Sequence, residues 1–188
     1  MGWADSADEL YSGLYRAGYP MGAPGRIVNA FGYSGEESVC DLGCGHAQLS
    51  FIFPAYVGVD VSTTIIERNE MIGRGRYCRR SLDDLGPLLK QEEFDLAICC
   101  DVMEHIPEWK VPVVLREISK LSAKRFAFGI SCRDSEYRDK DGGTLHPTVW
   151  EPDKWRRAVG VYFETIREEE NVEDDFLMLE AIGKGNET

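Results

Sequence analysis

The apolar positions of this chain follow two rhythms, and the rhythm switches repeatedly between residues 38 and 183. Before that point Leu10, Leu14 and Ala17 fall at helical spacing, which predicts a helix over residues 5–17. Gly22, Pro24 and Gly25 interrupt it ahead of a short helix over 26–31. A short apolar run at 38–42 then ends in the glycine turn Asp41-Leu42-Gly43-Cys44-Gly45. A helical stretch reaches Phe53 and stops at Pro54. Residues 56–59 read as a second strand ending at Asp60, and Ser62 is placed to cap a helix over 63–72.

The pattern continues with a weak strand at 75–79 and a strong one at 94–100. A helix over 111–121 puts Val111, Val114, Leu115, Ile118 and Leu121 on one face. Strand 125–131, helix 151–159 and strands 162–167 and 176–182 follow. The last two, joined by EEENVEDD, read as an antiparallel hairpin at a sheet edge. Such alternation predicts an α/β fold of three layers, a seven-stranded and mostly parallel sheet between helices.

With 188 residues the chain is expected to form a single domain, 1–33 being a helical, lid-like segment and 38–183 the core. At 43% hydrophobic and 29% charged it has enough apolar matter for that core. No apolar run nears the roughly 18 residues of a membrane span, and MGWADSADEL lacks the basic and apolar regions of an export signal. The expectation is a cytoplasmic protein without a membrane partner. Against 21 Lys+Arg stand 33 Asp+Glu, a net charge of −12, so duplex DNA is an unlikely partner. Cys40, Cys44, Cys78, Cys99, Cys100 and Cys132 form no CxxC pairs. They read as small core hydrophobes in a reducing compartment, and no metal site is expected.

The unusual residues cluster at strand ends, where open α/β sheets bind ligands. Gly43 and Gly45 let the backbone turn tightly and approach a ligand, which a Cβ would strike. Asp60, 19 residues after Asp41, can accept hydrogen bonds from both hydroxyls of a ribose. A dinucleotide fingerprint would place a third glycine where Gln48 stands, and Asp41 would repel a diphosphate. The turn suits a ligand that carries positive charge and no phosphate. Two plainer readings stand beside these: Asp41 as a turn-stabilising carboxylate, and Asp60 as the acid ahead of the next helix.

VCDLGCGHAQLS, VGVDVS and FDLAICCDVMEHIP resemble, in order and spacing, the successive motifs of class I S-adenosylmethionine-dependent methyltransferases. The likeness is to the small-molecule branch with an EH pair after the fourth strand; it covers residues 38–121 and continues more weakly over 125–163. It implies a Rossmann-like fold and S-adenosyl-L-methionine as cofactor, which carries an ammonium and a sulfonium. It also implies that Asp41, Gly43 and Gly45 line the cofactor's methionine end, that Asp60 holds the ribose, and that Val61 packs on the adenine. The family's acid after the third strand falls here on Ser81, beside Leu82, with Asp83 and Asp84 displaced. The run from Cys100 and Asp101 to His105 would close over the cofactor near the transferred methyl.

His146, in the long segment after the fifth strand, is the candidate base or substrate-orienting group, and His105 is a second candidate. A structural histidine before Pro147 is the competing reading, as helix capping or charge pairing is for Glu104 and His105. Tyr11, Tyr15 and Tyr19, at i, i+4 and i+8, form either a lid or a packing face. Arg74, Arg76, Arg79 and Arg80 form a basic cluster that reads as a solvated face. No Asp/Asn-Pro-Pro-aromatic or Pro-Cys signature of DNA methylation is present, nor the clustered acids of a catechol-type metal site. The expected acceptor is a small molecule with an oxygen, nitrogen or carbon nucleophile. The rivals are RNA or protein methylation, a non-catalytic cofactor-binding partner subunit, and a nicotinamide-dependent enzyme.

Overall fold

The computed structural model describes residues 2–20, 22–171 and 175–184, Leu88 by its backbone alone. Helices α1 (Trp3–Arg16) and α2 (Gly25–Phe31) precede the sheet. Then come β1 (Val39–Leu42), β2 (Tyr56–Asp60), α3 (Thr63–Ile72), β3 (Arg76–Arg79), α4 (Pro87–Gln91) and β4 (Glu93–Cys100). The chain continues with α5 (Val111–Ile118), β5 (Ser122–Ser131), α6 (Pro152–Gly160), β6 (Phe163–Asn171) and β7 (Phe176–Gly183).

The seven strands are ordered β3-β2-β1-β4-β5-β7-β6. The first five run parallel, and β7 is antiparallel to both β5 and β6. The chain leaves β1 toward β2 on one side and later returns to place β4 on the other, with Asp41 beside Gly58 and Ile98. Strand order therefore reverses at β1, and a crevice opens beyond its carboxyl end.

Strand alternation sorts the core into two halves. Cys40, Leu42, Val57, Ala97, Cys99 and Phe128 pack on one face with Val114, Leu115 and the fully buried Trp155. Val39, Leu96, Ile98, Cys100 and Ala127 pack on the other with Ile27, Phe31, Ile65 and Ile66. Cys99 and Cys100, neighbours in sequence, thus lie in separate cores. All six cysteines are free thiols, and four are buried.

Helix α3 matches its predicted limits, with Ser62 Oγ accepting the N–H of Ile65 at 3.3 Å. Elsewhere the boundaries move for local reasons. The stretch before Pro54 is a 3-10 turn, Gln48–Phe51, entered through Ala47 at φ +52°. Helix α5 ends at Ile118: the Ser119 hydroxyl donates to the Arg116 carbonyl, and the Lys120 and Leu121 N–H groups bond three residues back, to Glu117 and Ile118. Helix α4 was not foreseen; one turn opened by Pro87 is too short to show a period. Strand β6 runs to Asn171, exposed along nearly all its length, so no alternation marks it. The edge hairpin is as expected, although residues 172–174 of its connection lie outside those described. No described helix is long and apolar enough to cross a membrane.

Candidate cofactor and acceptor site

The crevice is a cavity of about 400 Å³ beyond the strand ends. Asp41, Gly43, Gly45, Asp60, Val61, Ser81, Leu82, Cys100, Asp101, His105 and His146 all line it. Every candidate site residue of the sequence is therefore brought to one place.

The turn after β1 follows from its glycines. Gly43 sits at φ +75° and Gly45 at φ +47°, a left-handed backbone that side chains resist. At Gly43 the loop after β4 also comes close. A Cβ there would come 2.4 Å from Val102 Cγ2, so the glycine admits the loop after β4, and it is protein that the Cβ strikes. At Gly45 the Cβ would lie 3.1 Å from the Tyr15 hydroxyl.

Asp41 is buried, and its Oδ2 accepts the Tyr56 hydroxyl at 2.6 Å. Burial pushes its carboxyl up to about 7, helped by the charge of Asp60 and opposed by the tyrosine bond. Asp60 accepts Gly45 N–H at 3.0 Å through Oδ2 and Ser62 N–H at 2.9 Å through Oδ1. Burial raises it to about 6, against those backbone bonds. The plain reading of Asp60 is thus physically real: it ties the β1 turn to the entry of α3. Neither carboxyl is bonded to a cationic side chain among the described residues, so each is left to a ligand for charge compensation.

Ser81 bonds Asp83, which pairs with Lys110, and the Asp84 carboxylate accepts Gly86 N–H at 3.2 Å. Neither displaced acid lines the cavity; Ser81 and Leu82 do. Cys100 is buried, and burial holds its thiol well above the ordinary value. Asp101, at φ +56°, accepts the Ala23 N–H at 3.4 Å and so ties the segment ahead of α2 to the end of β4. In the basic cluster Arg76 pairs with Glu92 and Arg79 with Asp8, while Arg80 reaches the cavity.

Helix α1 walls the cavity. Asp8 accepts Thr63 N–H at 2.8 Å, and Ser12 Oγ lies 2.8 Å from Ser62 Oγ, so this face packs on the start of α3. The adjoining face turns Trp3, Ala7, Tyr11 and Tyr15 to the cavity. Tyr19 is not on that helix face; α1 ends at Arg16, and a turn at Gly18 (φ +86°) returns Tyr19 to the same wall. An edge-on chain of rings links Tyr15 to Tyr19 and Tyr19 to Tyr137 of the segment after β5, at 6.0 and 5.6 Å. Trp3 was missed, though it begins the same i+4 stripe.

His105 and His146 meet edge to face with ring centroids 4.7 Å apart. Burial, with the charge of His146 second, pushes His105 down to about 3, so its ring is neutral. Glu104 is buried, and burial pushes its carboxyl well up. Its carboxylate accepts the Ser131 N–H at 3.4 Å and, among the described residues, pairs with no cation, so charge pairing does not describe it.

A family model described as "Methyltransferase domain" matches residues 40–125, the stretch that carries the turn, Asp60 and the Glu104–His105 pair. That stretch is similar to a methyltransferase domain. Solved structures share the fold. Magnesium protoporphyrin IX methyltransferase from Synechocystis PCC 6803 with bound SAH aligns at 16% identity over 97% of this chain and 88% of its own, TM-score 0.64. A TehB-like SAM-dependent methyltransferase from Corynebacterium glutamicum aligns at 18% over 96% and 98%, TM-score 0.63. The 1,6-didemethyltoxoflavin-N1-methyltransferase of Burkholderia thailandensis aligns at 15% over 86% and 76%, TM-score 0.62. No curated protein matches the sequence. The two buried carboxyls, Asp41 and Asp60, fit a ligand that carries positive charge.

Proposed function

We propose that this protein is a methyltransferase that moves the methyl group of S-adenosylmethionine to a small-molecule acceptor through an oxygen, nitrogen or carbon nucleophile. The observation that carries this reading is the cavity of about 400 Å³, a size usual for small-molecule sites, walled by α1 and an aromatic chain. An acidic surface of net charge −12 disfavours a nucleic-acid acceptor. The neighbours from Synechocystis and Burkholderia, named for a porphyrin and a toxoflavin precursor, are consistent with it.

In this reading Asp41 and the Gly43–Gly45 turn hold the methionine end, Asp60 the ribose, and Val61, Ser81 and Leu82 the adenine. Cys100 and Asp101 lie under the methyl, and His105 and His146 face the acceptor. Helix α1 forms the covering wall of a single domain. Transfer is an in-line displacement that asks the protein to hold the nucleophile about 3–3.5 Å from the methyl carbon and to exclude water.

Calorimetric titration with S-adenosylmethionine, with NAD as control, tests the site. Asp41 is raised from its ordinary 3.8 to about 7, so the folded, cofactor-free protein binds that proton more tightly than the unfolded chain. Its contribution to stability is therefore greatest at low pH and declines as pH rises from about 4 to about 7. A cationic ligand favours the ionised form. Affinity should thus rise toward pH 7, by up to about tenfold per unit for each proton released. Proton release, read from the buffer dependence of the heat, is the expected sign. Binding of NAD in place of S-adenosylmethionine, or binding without pH dependence, would contradict it.

A further inference from the structure

One group of side chains in the cavity is not accounted for by cofactor binding. The 3-10 turn Met103–His105 after β4 presents Glu104 and His105, and the segment after β5 brings His146 against them. That segment is clamped in place: Thr148 N–H donates to the Glu104 carbonyl at 3.2 Å and Thr148 Oγ1 to the Ile106 carbonyl at 2.6 Å. One donor atom from each of Glu104, His105 and His146 lies within 4.8 Å of the other two.

The protonation pattern is fixed by neighbours. His105 Nδ1 lies 2.7 Å from the Leu145 carbonyl, and His146 Nδ1 lies 2.7 Å from the Arg133 carbonyl. A carbonyl only accepts, so each Nδ1 carries a proton and Nε2 is the ring nitrogen left for a further partner. Imidazoles that bind metals through one nitrogen are oriented this way, by a backbone carbonyl on the other. Glu104 is 1% exposed, and its Oε2 has no hydrogen-bond partner. A buried carboxyl oxygen left without a donor calls for a missing ligand.

We infer that Glu104, His105 and His146 form a binding site for a divalent transition-metal cation in the wall of the cavity. Donors held at about 2.1 Å from one cation stand roughly 3–3.4 Å apart, so closure needs side-chain movement on the order of an ångström. Two imidazoles and one carboxylate suit zinc, manganese, iron or cobalt better than magnesium or calcium. Three protein ligands leave coordination positions open, and all three side chains line the cavity, so an oxygen of the acceptor is the natural further ligand. That use rests on the methyltransferase reading above; cation binding does not.

Cobalt(II) is the probe, added to the purified full chain and followed by visible absorption. One equivalent should bind, with weak d–d bands and without the strong near-ultraviolet band of thiolate ligation, which separates this site from the six cysteines. His146→Ala and Glu104→Gln should each lower cobalt affinity about tenfold or more, with folding checked by circular dichroism. His146 is only half-buried, so that variant guards against a folding defect in the other. Absence of stoichiometric cobalt, a thiolate band, or unchanged affinity in His146→Ala would overturn the site. Cobalt bound as expected in a protein that transfers no methyl group to any acceptor would leave the site standing and count against the proposed function alone.

Discussion

Replacing Asp60 by alanine is expected to weaken S-adenosylmethionine binding by about 1.5–3 kcal/mol, roughly ten- to more than a hundredfold. The carboxyl is buried at the end of β2, and each oxygen has one backbone partner and a second lone pair to offer a ribose hydroxyl. Bonds to an ionised acceptor are the strong ones. The same substitution strands the N–H groups of Gly45 and Ser62, so stability falls too, by about 1–3 kcal/mol. The two effects separate by calorimetry well below the melting transition, where the variant is folded. Affinity equal to that of the unchanged protein there would place the ribose away from Asp60.

Gly43→Val should abolish cofactor binding and lower the melting temperature while leaving the sheet's circular dichroism intact. The left-handed backbone at φ +75° costs a side chain about 1–2 kcal/mol. The Cβ placed 2.4 Å from Val102 Cγ2 adds an overpacking cost of about 1–3 kcal/mol. The strain falls on the turn after β1 and the loop after β4, both outside the strands, so the core is spared. A double-mutant cycle identifies what the glycine makes room for. Val102→Ala in a Gly43→Ala background should recover part of the lost affinity by removing the obstructing methyls. No recovery would return the glycine to the role read from sequence, close approach of a ligand.

That contrast shows where the sequence is informative. Strand ends are legible because chemistry concentrates there: Asp41, the two glycines and Asp60 stand in order within one βαβ unit, and all line the cavity. Helix α3 is legible because Ser62 caps it and Gly73, at φ +71°, ends it. Helix α4 and the outer length of β6 leave no trace because neither has a periodic buried face: one is a single turn, the other is exposed on both sides. The partner of Gly43 is hidden for another reason. Val102 follows β4, three strands later in sequence order, and a contact made across a crossover has no local signature. The meeting of His105 with His146 is hidden likewise, since a long irregular segment folds back between them, held by the Thr148 bonds and by the Leu145 carbonyl on His105. Trp3 was legible, as the first member of the stripe continued by Ala7, Tyr11 and Tyr15, once the helix is allowed to start there.

Strand β6 is an edge of the described sheet, and an edge strand invites another strand to add itself. The side chains answer that invitation. Glu164, Glu168, Glu169 and Glu170 are exposed along it, and Arg156 pairs with Glu168 and Glu170 from α6. A second copy pairing edge to edge would set glutamate rows against each other, and like charges on adjoining strands destabilise the pair. The acidic excess of this chain thus guards its open edge against runaway sheet growth, a protection that weakens as salt screens it.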